Sequence, residues 1–149
     1  MKPSIDTVIV EQLAQAQISD PAYHAMLKAL VAKVALGRNK TIGFSGSQGS
    51  GKSTLVSVLK AVLEQAQGLT VASLSLDDFY KTRSARTQMM REHPMFQVRG
   101  VPGTHASDPM QQAKLASCAG RAAQVPVFVK GLDDRDGTMT IPAGCEKVL

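Results

Sequence analysis

Apolar residues recur at helical spacing through the first part of the chain. Ile5, Val8, Ile9 and Leu13 fall on roughly one face, which predicts a helix over residues 5–17. Ser19, Asp20 and Pro21 then supply N-cap candidates and a proline suited to a first helical turn. The helix they open carries Met26, Leu27, Leu30, Val31 and Val34, with Gly37 placed to end it. Residues 1–38 therefore read as an N-terminal helical segment whose work is packing, with His24 an ordinary surface or boundary histidine. The period then changes. "KTIGFS" (Lys40–Ser45) reads as a short buried strand. "KSTLVSVLKAVLEQAQ" places Leu55, Leu59, Val62 and Leu63 at helical spacing and closes at Gly68, and "LTVASLSL" (Leu69–Leu76) is strand-like again. Strand, glycine loop, helix, strand is the opening of an α/β sheet with a parallel, right-handed crossover.

Beyond Tyr80 the pattern weakens. "TRSARTQMMREH" predicts a helix with Ser84 near its start, "RGVPGTH" (Arg99–His105) a turn-rich loop, and Pro109–Ala123 a further helix. "VPVFVKGLDDRDGTMTIP" holds a short apolar strand, a polar turn and a second short run, and the closing "CEKVL" looks like the first half of a strand. No internal repeat or low-complexity linker interrupts the chain.

Composition narrows the class. A chain of 149 residues suits one domain, and 44% hydrophobic with 19% charged residues describes a globular protein. No apolar run approaches membrane-spanning length, and the N-terminus lacks a signal-type core. Cys118 and Cys145 lie far apart in no metal-ligand spacing, which fits free thiols in a reducing cytoplasm. The net charge of +5 is concentrated in Lys81, Arg83, Arg86, Arg91 and Arg99, with Glu92 the only acid among them. Scarce aromatics argue against the stacking platforms of single-strand binders, so nucleic acid is disfavoured. The cluster reads either as a solvated helix face or as an electropositive flap over an anionic substrate. Oligomeric state is not legible.

"GSQGSGKS" (Gly46–Ser53) fits G-x-x-x-x-G-K-[ST], between a strand and a helix. Glycines let successive N–H groups of Gly46, Ser47, Gln48, Gly49, Ser50 and Gly51 turn toward phosphate oxygens. Lys52 reaches the β- and γ-phosphates, Ser53 offers a hydroxyl to Mg²⁺, and Thr54 continues the helix whose positive end faces the anion. The motif predicts nucleotide binding, with Mg²⁺ at Ser53, and does not by itself specify a kinase.

"LDDFYKTR" (Leu76–Arg83) ends the second strand with two adjacent carboxylates. Ligands of an open parallel sheet bind at that edge, so Asp77 and Asp78 are candidates for proton abstraction or for ordering a metal. The plainer reading is an Asp-Asp turn capping the next helix.

Together, "GFSGSQGSGKSTL", "SLDDFYKTR", "HPMFQVRGVPGTH" and "KGLDDR" resemble the glycerate kinase group of P-loop kinases, relatives of uridine kinase, phosphoribulokinase and pantothenate kinase. The resemblance runs from about Lys40 to the C-terminus. It implies a P-loop NTPase-type parallel sheet with flanking helices over residues 39–149, and transfer of the γ-phosphoryl group of ATP to a hydroxyl of a small acid such as D-glycerate. It makes Asp77 the catalytic base beside Lys52, and Asp78 a helper of Mg²⁺ with Ser53. It places Tyr80, Lys81, Arg99 and His105 on the substrate side.

Three departures accompany the match. Ala106 stands where the family has an acid, with Asp108 two residues later; Val129 stands where a carboxylate precedes Lys130; and the chain ends where a family member enters its next core strand. Asp133, Asp134 and Arg135 keep the later motif. The chain is thus expected to be an incomplete, truncated kinase domain, poorly stable alone, with phosphoryl transfer weak or absent. The alternatives are a nucleotide-binding remnant without catalysis, or a kinase for a nucleoside or pantothenate.

Overall fold

The computed structural model describes residues 1–149. In chain order the elements are α1 (Ile5–Gln15), α2 (Pro21–Leu36), α3 (Lys52–Val62), β1 (Val71–Ala72), α4 (Arg83–Met89), α5 (Ser107–Cys118), β2 (Ala123–Val129), β3 (Asp134–Ile141) and β4 (Lys147–Val148). They form two compact units, Met1–Ser73 with Cys145–Leu149, and Leu74–Gly144.

In the first unit, local chemistry starts each helix where the sequence places it. Ser4 Oγ accepts from Thr7 N at 3.1 Å, and Asp20 Oδ1 accepts from Ala22 N at 2.8 Å with Pro21 in the first turn. The apolar faces of α1, α2 and α3 meet in one core of Val8, Ile9, Leu13, Leu27, Val31, Val34, Val58, Leu59, Val62 and Leu63, closed by Val71 and Leu149. Burying each such side chain is worth about 1.5–3 kcal/mol, and this core holds α3 in place. Helix α3 widens into a π turn over Leu63–Gln67 and stops at Gly68, whose φ of 74° is the left-handed stop glycine permits.

The parallel sheet is narrower than the sequence predicts. Of Lys40–Ser45 only Thr41 bridges in parallel to Val148, and β1 spans two residues, paired in parallel with β4 in the register Val71↔Lys147 and Ala72↔Val148. The two strands of the expected crossover are therefore not neighbours: the C-terminal strand lies between them. Lys147 anchors it by donating to Gly37 O at 2.6 Å and Asn39 O at 3.0 Å, and Lys60 ties α3 to the sheet through Val71 O at 2.7 Å. The architecture is α/β with parallel pairing and flanking helices, as the sequence implies.

The second unit is built on the antiparallel hairpin β2–β3, paired from Ala123↔Ile141 to Val129↔Asp134 with a bulge between Pro126 and Phe128. Helix α5 and the 3₁₀ turn Leu76–Phe79 pack on β2, burying Phe79, Tyr80, Ala113, Val125, Phe128 and Ile141. Two sequence boundaries shift: α4 begins at Arg83 behind an N-capping Thr82, and α5 covers Ser107–Cys118. No helix is long and apolar enough to cross a membrane.

Candidate functional site

The phosphate loop belongs to the first unit. Gly49 (φ 77°) and Gly51 (φ 80°) hold the left-handed region that lets the chain turn back on itself before α3. Gly51 is the N-cap of α3 without a side-chain cap, so the first N–H groups of the helix have no side-chain acceptor from their own cap. At Gly46 a Cβ would come within 2.9 Å of Ser50 Oγ. Lys52 Nζ donates to Gly46 O at 2.8 Å, Ser47 O at 2.6 Å and Ser50 Oγ at 3.5 Å, which folds the ammonium over the loop. Gly46–Gly51 and Ser53 are exposed, and Lys52 and Thr54 are half-buried. Backbone donors, a lysine and a hydroxyl at a helix N-terminus form a receptor for phosphate oxygens.

The carboxylates belong to the second unit and divide their work. Asp78 completes a capping box: Ser75 Oγ accepts from Asp77 N at 3.2 Å, and Asp78 Oδ2 accepts from Ser75 N at 3.3 Å. Its Oδ1 accepts from Phe128 N at 3.1 Å and so fastens the turn to β2. Asp77 makes no cap. Its Oδ2 lies 2.8 Å from Lys130 Nζ, in a pair whose side chains are 38% and 70% exposed. The hydrogen bond and charge of Asp77 push the Lys130 ammonium above its ordinary value.

Behind Asp77 the chain builds an aromatic and cationic shelf. Tyr80 bridges to His105 in antiparallel fashion, Lys81 N donates to Thr104 O at 2.8 Å, and Ala106 N donates to Phe79 O at 2.7 Å. This backbone ladder stacks the Tyr80 and His105 rings at 4.2 Å, and Tyr80 meets the Phe128 ring edge-on at 5.3 Å. Arg99 places its guanidinium 5.3 Å above Phe128. His105 Nε2 is buried without a hydrogen-bond partner. Two of the four expected substrate-side residues, Tyr80 and Arg99, thus pack on Phe128, and His105 joins them through its stack on Tyr80. Lys81 does not join them: its ammonium contacts Met89 Sδ at 3.6 Å.

The "DDR" motif supports this shelf. Arg135 donates to Tyr80 O at 2.7 Å and Phe79 O at 3.4 Å. Asp134 Oδ1 accepts from the backbone N–H groups of Arg83 (2.9 Å) and Arg135 (2.8 Å), which hold its carboxyl below the usual value. Val129, in the position of the missing carboxylate, pairs with Asp134 across the hairpin. Sequence reasoning did not single out Lys130, Phe128 or Asp133 as site residues. Their positions in "PVFVK" and "GLDDR" were the available signal.

A glycine loop between a parallel strand segment and a helix, with the lysine and hydroxyl in place, defines a P-loop nucleotide-binding protein. The chain belongs to the P-loop family described as Methylmalonyl Co-A mutase-associated GTPase MeaB, which matches residues 8–88. It is 43% identical over 72 residues to an uncharacterised kinase of Schizosaccharomyces pombe, covering 46% of this chain and 26% of that protein. It is 30% identical over 112 residues to the chloroplastic D-glycerate 3-kinase of Arabidopsis thaliana, covering 68% of this chain and 24% of the relative. Among solved structures, D-glycerate 3-kinase from Cryptococcus neoformans superposes with a TM-score of 0.66 at 29% identity, covering 83% of this chain and 48% of that one. The chain therefore spans about a quarter of the curated relatives and about half of the solved structure. The resemblance to glycerate kinase-type P-loop kinases read from the motifs is borne out.

Proposed function

We propose that the chain binds ATP at Gly46–Thr54 and transfers its γ-phosphoryl group to a hydroxyl of a small organic acid, D-glycerate in the first instance. The observation that carries this reading is a cluster in the second unit: the partly exposed Asp77 carboxylate paired with Lys130, the Tyr80–His105 stack packed within, and the partly exposed Arg99 guanidinium over Phe128. Such a cluster offers a base for a hydroxyl and a cation for a carboxylate. The names of the D-glycerate 3-kinase relatives support the same acceptor.

In this reading Asp77 takes the acceptor's proton as its oxygen bonds to the γ-phosphorus, and the bond to the bridging oxygen breaks to release ADP. Lys130 orients Asp77 through their 2.8 Å ion pair. Lys52 exchanges its loop carbonyl partners for β- and γ-phosphate oxygens. Tyr80, His105 and Arg99 hold the acid, with Lys81 at the margin. Magnesium, when bound, neutralises phosphate charge. The exposed Ser53 hydroxyl in the first turn of α3 fits that ion directly. Both oxygens of Asp78 already accept backbone N–H groups, so Asp78 would act through water. The two free thiols, Cys118 and Cys145, support a reducing setting such as the cytoplasm.

The test is nucleotide consumption with D-glycerate, uridine and pantothenate in turn, supplied with ATP or with GTP, since the family description names a GTPase. D-glycerate-dependent ADP release that Asp77→Asn abolishes is the expected result. Nucleotide binding without turnover on any acceptor would instead assign the chain a binding role without catalysis.

A further inference from the structure

Asp133 occupies an uncommon place. It is one of two non-glycine residues with positive φ, at 52°, in the turn between β2 and β3. A residue keeps such a conformation when its surroundings over-determine it, and here they do. Asp133 Oδ2 lies 3.0 Å from Arg86 Nη2, and its own carbonyl accepts from the same nitrogen at 2.6 Å. Arg86 is buried, 4% exposed at the side chain, and its Nε donates to Lys81 O at 3.2 Å. The second carboxylate oxygen, Oδ1, lies 3.0 Å from Arg99 Nε. One carboxylate thus links a buried, fixed guanidinium to a partly exposed one.

We infer that Asp133 is a positioning residue that sets the Arg99 guanidinium over Phe128 for reading the acceptor's carboxylate. The inference rests on the acid-acceptor reading above and adds the device that makes it selective. A free arginine samples many rotamers, and ordering it on binding costs affinity. Held by Asp133 at Nε and by the Phe128 ring below, Arg99 is ordered beforehand, and its two Nη groups remain for a carboxylate fork. Arg86 supplies the fixed point, so the orientation passes from a buried cation through Asp133 to an exposed one. Phosphate-loop binding of nucleotide does not enter this chain of contacts.

The experiment measures D-glycerate and glycerol binding by calorimetry, alongside a fluorescent ATP analogue and thermal melting, for wild type, Asp133→Asn, Arg99→Ala and the double variant. Asparagine tolerates the left-handed region and keeps the shape while removing the charge. Asp133→Asn should weaken D-glycerate roughly tenfold or more and leave the ATP analogue unchanged. The double variant should bind D-glycerate no worse than Arg99→Ala alone, because Asp133 acts through Arg99. Wild-type D-glycerate affinity in Asp133→Asn, additive losses in the double variant, or equal loss of the nucleotide would overturn the inference. If Asp133→Asn gives no melting transition, Arg99→Lys takes its place; the same tenfold loss is expected, and unchanged affinity overturns it. A wild-type chain that binds glycerol as well as D-glycerate overturns the acid-acceptor reading and this inference with it.

Discussion

Lys130 Nζ sits 2.8 Å from Asp77 Oδ2, so the one carboxylate of the Asp77–Asp78 pair that makes no cap is held by a cation from the end of the hairpin strand. The pairing gives the lysine of "PVFVK" a partner although apolar Val129 precedes it. Asp77 raises the Lys130 ammonium above its ordinary 10.5, chiefly through the hydrogen bond and then through charge. A raised lysine contributes stability that is fully present below its unfolded value and is lost as pH rises through the folded one. Asp77→Asn should therefore bring the Lys130 side-chain titration back toward 10.5, read by NMR at Cε, and abolish transfer. Turnover that survives Asp77→Asn would remove Asp77 from the role of base.

At the acid end the carboxylates of Asp6 and Asp134 carry the opposite sign. Lys28 Nζ, 2.8 Å from Asp6 Oδ2, lowers Asp6 through a hydrogen bond, and the Arg83 and Arg135 backbone N–H groups lower Asp134. A depressed carboxyl stabilises the fold above its unfolded value, here 3.8, and loses that contribution as pH falls through the folded one. Carbon-detected titration should place both below 3.8, and Lys28→Ala should release Asp6 alone. A shift of Asp134 in that variant would contradict the local origin of its low value.

Much of this was legible in the sequence, for physical reasons that differ by element. The three helices of the first unit follow from a 3.6-residue period with caps at Asp20 and Gly68, features that are local in sequence. The strands were read too long because pairing is not local: Thr41 and Val71 both depend on residues at the far end of the chain. The phosphate loop was legible because its chemistry lies in consecutive residues. The Tyr80–His105 stack places the expected residues together, but Phe128, Lys130 and Asp133 enter through a hairpin register that no periodicity specifies. Of the two readings of the carboxylates, Asp78 meets the capping one and Asp77 does not.

The core beneath α3 makes a separate prediction. Leu59 is fully buried among the residues of α1, α2 and α3. Leu59→Ala should lower unfolding free energy by roughly 2–5 kcal/mol, through lost burial and the cavity left behind. Denaturant titration checks the size. Nucleotide affinity of the fraction that stays folded should be unchanged, and a large loss there would mean that packing under α3 shapes the loop itself.

Gly51 and Lys52 allow conformation and charge in the phosphate loop to be separated. A Cβ at Gly51 meets nothing within 4 Å, so the cost of Gly51→Ala comes from its φ of 80° alone, about 1–2 kcal/mol. If the loop relaxes to avoid that cost, the backbone donors turn away from phosphate and nucleotide affinity falls while melting temperature hardly moves. Lys52→Ala removes the ammonium from Gly46 O and Ser47 O and from the phosphates, and should reduce transfer by on the order of 10²-fold or more. The two variants should differ in kind. Lys52→Ala should lose its dependence on the triphosphate, binding nucleoside di- and triphosphate alike. Gly51→Ala should weaken both and keep the preference. Equal discrimination in the Lys52→Ala chain and the wild type would show that Lys52 serves the loop and not the γ-phosphate.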